Sequence, residues 1–225
     1  MAPPLGPTSF PNPPLPAAGA PPTRRVTGAS LIAIATVAAS CAGMVALHLF
    51  RGDISPLRTV MSHYANGSGG VVMSLVFYAF GATAVALGVR LRTGMVPAGV
   101  TRLLSPLLVL GGACLVAAGV FEVDRPEVAS TVADYVHSDA AVAGFGLVIA
   151  SMWVFAIGCR REQRWWTFRR VALGLATIAT VGAVANRLLT ELHWDGAVQR
   201  TLGGAVLLWE LLVALRVRRT GFEAS

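Results

Sequence analysis

The residues able to do chemistry in this 225-residue chain are few, and they fall in the polar stretches that interrupt its apolar runs. Phe121 to Ala141, FEVDRPEVASTVADYVHSDAA, holds five of the eleven acids and His137, one of only four histidines. A neutral imidazole binds zinc, and carboxylates complete or orient such a site. On that chemistry His137, His193, His63 and Asp124 are candidate metal ligands, and His137, Asp139, Asp124 and Ser62 are candidate catalytic groups. Two histidines four apart around a glutamate would mark a helical zinc motif, and no pair here has that spacing. A zinc site must therefore be assembled from three separate loops. The same residues also have a purely structural reading. Asp134 would cap a helix, with Tyr135, His137, Ser138 and Asp139 in its first turns, where acids complement the helix dipole.

Two further polar stretches add candidates. Residues 51–70, RGDISPLRTVMSHYANGSGG, are enough to fold back over a bundle. Within them PLRTVMSHYA predicts a short interfacial helix carrying Arg58, Ser62, His63 and Tyr64. Residues 186–200, NRLLTELHWDGAVQR, place Arg187 four before Glu191, the spacing of a helical ion pair. Arg187 and Arg200 flank neighbouring apolar runs, where each suits an anionic headgroup or an outer acid; pairing with the acids is the expected use. His48 and His137 stand at comparable depth, which raises haem as a ligand. Their positions at helix ends argue against two rings facing each other across an iron. Glu210 alone lies clearly inside an apolar run. A buried acid in a membrane is functional by default, for example in proton-coupled transport, but six residues before Arg216 it can also snorkel or pair with an arginine.

These residues must be positioned by membrane helices. The chain is 55% hydrophobic and 13% charged, against about 25% charged for a soluble domain, and its mean hydropathy is +0.66. Six apolar runs, about residues 26–50, 70–89, 103–121, 137–159, 171–190 and 197–215, each approach the length a helix needs to cross a bilayer. Backbone groups cannot stay unpaired in hydrocarbon, so the expected fold is all-α, an integral membrane bundle of six transmembrane helices over residues 24–219. Residues 1–23, with nine of the thirteen prolines and no charge, read as a disordered tail, and 220–225 as a short one. Arg24-Arg25 before a run ending in AASC resembles a lipoprotein signal, but that run continues to Phe50 and is a full span.

All eighteen basic residues are arginine. Thirteen fall on one side of the spans and five on the other, which predicts that both termini are cytoplasmic. A pI of about 10.6 suggests nucleic acid in a soluble chain; here the arginines anchor the bundle to the lipid bilayer, and no nucleic-acid partner is expected. Eight of the eleven acids and all four histidines then share the outer face. Cys41, Cys114 and Cys159 lie in or beside apolar runs and read as small packing residues. Trp165 and Trp166 suit an interfacial belt, and Gly111-Gly112, Gly144, Gly146 and Gly203-Gly204 suit close helix approach.

SPLRTVMSHYANGSGG at 55–70, FEVDRP at 121–126 leading to VHSDAA at 136–141, and AVQRTLGGAVLLWELLVALR at 197–216 resemble a bacterial multi-pass membrane family, domain of unknown function 998. The resemblance implies six helices with polar motifs gathered on one side, and no established activity. Ser62, Tyr64, Asp124, His137 and Asp139 are the positions that match. The chain departs from the family pattern at His63, where an acid is common, and near Glu122, where a proline is.

The expected function is a membrane protein that binds a lipid, an envelope ligand or a partner at its outer face. The competing expectation is a membrane-embedded, metal-dependent hydrolase acting on a lipid or envelope substrate. In it His137 and His193 serve as ligands or bases, and Asp124 and Asp139 ligate or orient.

Overall fold

A computed structural model describes residues 24–93, 96–121, 123–125, 128–188 and 194–222. The proline-rich tail of residues 1–23, and Glu122, Glu127, Glu191 and His193, lie outside the described residues. Among the described residues there is no strand. Six long helices follow one another: α1 Arg24–Phe50, α2 Gly70–Leu91, α3 Ala98–Val120, α4 Val132–Gly158, α5 Trp166–Leu188 and α6 Asp195–Phe222. The shortest has 22 residues, which at 1.5 Å each is about 33 Å, enough for a hydrocarbon core of about 30 Å. All six are long and apolar enough to cross a membrane. The protein is an all-α, multi-pass membrane protein.

The helices pack in sequence order into a ring that α1 and α6 close, and α2 also meets α6 across the interior. Glycine sets the closest approach. A Cβ on Gly112 of α3 would lie 2.5 Å from the Gly81 carbonyl oxygen of α2, and one on Gly144 of α4 would lie 2.8 Å from Leu115 of α3. Without those side chains the backbones come together, the packing that holds helices where lipid is as apolar as leucine. The expectation does not extend to Gly146 and Gly204, which face open space.

One end of the bundle, here the terminal end, holds the start of α1 and the end of α6; the other, the histidine end, holds His48, His63 and His137. At the terminal end Trp165 is 1% exposed and packs edge-on against Phe155 at 4.9 Å, with Trp209 on the same phenylalanine at 5.7 Å. Trp165 is thus a core residue and not part of an interfacial belt. Arg216 covers it, the guanidinium carbon 5.7 Å from the ring. Trp166 is 58% exposed. The cysteines are free: Cys41 is exposed, Cys114 half-buried and Cys159 buried. Burial pushes the Cys159 thiol up to about 12.

At the histidine end the loop after α1 folds back over the bundle. Arg51 grips Asp53 through Nε and Nη2, both at 2.8 Å, and reaches the Asn66 carbonyl at 2.7 Å. That hydrogen bond holds the Asp53 carboxyl below the usual carboxylate range. A depressed value stabilises the fold above the ordinary titration range and loses that effect as pH falls through it; the exposed position makes the contribution small. Met61–Ala65 forms one 3-10 turn with Met61, Ser62 and Tyr64 buried, shorter than the interfacial helix expected, and Gly67 (φ 86°) supplies the left-handed turn that returns the chain to α2.

Candidate anion site at the histidine end

The loop carbonyls and the start of α6 build the site together. The first turn of a helix leaves N–H groups unpaired, and Ala197 N–H donates to the Leu57 carbonyl at 2.9 Å. Gly196 makes the contact possible, since a Cβ there would lie 2.6 Å from the Pro56 and Thr59 carbonyl oxygens. Gln199 accepts from Met61 N–H, fixing the 3-10 turn to the same helix.

This frame holds Arg200. Its Nη1 donates to the Thr59 and Gly196 carbonyls, each at 2.9 Å, and its Nε donates to His48 Nε2 at 2.8 Å. A guanidinium only donates, so His48 Nε2 is the acceptor and Nδ1 carries the proton that goes to the Met44 carbonyl. His48 is therefore a neutral imidazole with both nitrogens engaged, which leaves none for haem iron. Tyr64 completes the cluster: its ring centroid is 5.5 Å from the Arg200 guanidinium carbon and 5.3 Å from the His48 ring.

Every hydrogen-bond partner of Arg200 among the described residues is uncharged. The ion pair formed among the described residues is Arg51–Asp53, so the expected pairing of Arg200 with an outer acid is not made there. Arg200 Nη2 and Tyr64 Oη are shut from solvent and have no hydrogen-bond partner among the described residues. Below the guanidinium lies an apolar cavity of about 310 Å³, lined by Arg200 and His48 at one end and by Met44, Phe77, Phe80 and Leu207 among others. A cation without a counter-charge beside an apolar cavity can recognise an anionic head attached to an apolar body.

The residues singled out around His137 are used differently. His137 is 4% exposed, and its Nδ1 lies 2.7 Å from the Ala118 carbonyl and 3.1 Å from that of Phe121. It thus satisfies the unpaired carbonyls at the end of α3, with Phe77 edge-on at 5.3 Å. Asp124 does not meet His137. Its carboxylate accepts from Thr131 N–H, its own N–H donates to Asp134 at 3.2 Å, and its carbonyl accepts from Asn66 at 3.4 Å. The cap of α4 is Thr131, not Asp134, and the helix begins at Val132, so His137 and Asp139 lie beyond its first turn. Asp139 is exposed. Ser62 is buried and His63 half-buried in the 3-10 turn, and Arg187 is exposed near the end of α5. No group of three or more His, Cys, Asp or Glu side chains among the described residues is placed to hold a metal; His193 and Glu191 lie outside them. His137→Ala is expected to lower stability by about 2–4 kcal/mol, from carbonyls left unpaired and a cavity, whereas Asp139→Ala stays within about 0.5 kcal/mol. Thermal unfolding of the purified variants checks both.

The family model described as "Protein of unknown function (DUF998)" matches residues 29–216, which takes in the Arg200 cluster and all six helices but for the start of α1 and the end of α6. The chain belongs to the DUF998 family. No curated protein and no solved structure matches it. Membership agrees with the six-helix fold and adds no activity, so the chemistry of this DUF998 protein rests on its own side chains.

Glu210 stands ten residues beyond Arg200, about 15 Å deeper along α6. It is 0% exposed, and neither carboxylate oxygen has a partner, so it neither snorkels nor pairs with Arg216, which bonds the Arg164 carbonyl. A buried polar group without partners costs stability. Glu210→Met is expected to melt at or above the wild-type temperature; a lower midpoint would show that the carboxyl has a stabilising partner.

Proposed function

We propose that this DUF998 protein is a lipid-binding protein of the bacterial inner membrane, with its termini cytoplasmic and an anionic headgroup held at the histidine end by Arg200. The arginine imbalance, thirteen at the terminal end against five, supports that orientation, because positive charge is retained on the cytoplasmic side. The observation that carries the binding reading is Arg200 itself. Its guanidinium is fixed by three hydrogen bonds to neutral partners and keeps Nη2 unsatisfied. A guanidinium N–H shut from water without an acceptor costs about 1–3 kcal/mol, which an anion at that point offsets. Nη2 is covered in this structure, so binding requires a shift of lining side chains, and Met44, Met61 and Met73 are the flexible ones.

The test is the lipid that copurifies. Wild-type protein extracted in a neutral maltoside detergent is expected to retain an anionic lipid detectable by mass spectrometry, and Arg200→Gln to lose it. Equal retention by both would overturn the reading.

A further inference from the structure

The cavity below Arg200 is reached from the bilayer. Its walls come from α1, α2, α4 and α6, and at its rim Cys41 and Val45 of α1 and Gly204 of α6 are all exposed on the surface of the bundle. These rim residues lie within spans that cross the membrane, so the medium they meet is lipid hydrocarbon. Apart from Arg200 and His48 at one end, the lining offers nothing that would hold ordered water, which needs two to four polar partners. Gly204 keeps the rim open, with nothing within 4 Å of where its Cβ would stand.

Size narrows the occupant. About 310 Å³ lies at the lower end of the roughly 300–1,000 Å³ of ligand pockets. That size suits one alkyl chain better than two.

We propose that this crevice admits a single-chain lipid with an anionic head sideways from the bilayer between α1 and α6, the chain lying against Phe77, Phe80 and Leu207 and the head reaching Arg200. The proposal rests on Arg200 as a headgroup site and adds the ligand class and its route.

Cys41 is a native reporter of the rim. In neutral maltoside detergent, dodecyl phosphate is expected to slow alkylation of Cys41 by a maleimide about tenfold, the effect of a ligand near 90% occupancy, read by mass spectrometry of the Cys41 peptide. Inorganic phosphate, which lacks the chain, and dodecanol, which lacks the charge, should leave the rate unchanged. Gly204→Phe should remove the protection while keeping the wild-type thermal midpoint; Val45→Trp, at an exposed rim position, makes the same test if the first variant does not fold. Unchanged alkylation with dodecyl phosphate still bound through Arg200 would sink the crevice and leave the headgroup reading standing. No binding of dodecyl phosphate at all would sink both. Equal protection by a two-chain phosphatidic acid, or protection that survives both rim substitutions, would overturn the single-chain crevice.

Discussion

Gly112→Leu is expected to prevent accumulation of folded protein, whereas Gly204→Leu leaves it intact. The contrast follows from what each side chain would meet. At Gly112 even a Cβ falls 2.5 Å from the Gly81 carbonyl oxygen, with Val85 at 2.8 Å; at Gly204 nothing lies within 4 Å. Overpacking usually costs about 1–3 kcal/mol because side chains rotate away. A backbone carbonyl in the middle of α2 cannot rotate, so α2 and α3 must separate along much of their length. The cost should exceed about 4 kcal/mol, a large share of the roughly 5–15 kcal/mol that holds a domain together. Yield in the membrane fraction and thermal unfolding after purification measure it. A Gly112→Leu protein with the wild-type midpoint would mean that the α2–α3 interface is not this close.

The second large effect is expected from Arg200→Gln. The substitution removes bonds to the Thr59 and Gly196 carbonyls and to His48, charge-assisted contacts worth about 1.5–3 kcal/mol each. Glutamine recovers part of one. A net loss of about 2–4 kcal/mol should fall on the loop after α1, which this side chain ties to α6 beside the Ala197–Leu57 and Met61–Gln199 bonds. Arg58 is exposed in that loop, so trypsin cleavage there should rise at least about tenfold. Arg200→Lys keeps the charge and loses the fork geometry, and it should fall between the two.

The fold was legible because its constraint is local. An apolar run in hydrocarbon must pair its backbone within itself, so length and hydropathy marked the helices and the arginines their ends. What the runs could not convey was which end residues meet. His137 and Asp124 lie thirteen positions apart in one polar stretch, yet one turns onto the α3 carbonyls and the other braces Thr131. Arg200 and His48 are 152 positions apart and become partners because α1 and α6 close the ring, a long-range fact with no sequence period. Tyr64 was among the matching positions of the family resemblance, but its place beside Arg200 depends on a loop folding back. Of two adjacent tryptophans only Trp166 faces outward, since a 3-10 turn at Gln163–Trp165 rotates Trp165 into the core. The acids clustered where sequence drew attention and served as caps and braces; Arg200, which meets no acid among the described residues and borders an apolar cavity, is where ligand recognition is best supported.

The central claim is that Arg200 selects an anionic head, and the preference of the protein for dodecyl phosphate over dodecanol measures it most directly, since both probes carry the same chain. Wild type should bind the phosphate at least about tenfold more tightly, at least 1.4 kcal/mol, and Arg200→Gln should lose that preference while any chain-driven binding remains. Equal affinity of the wild type for both probes, or a preference that survives Arg200→Gln, would contradict the account.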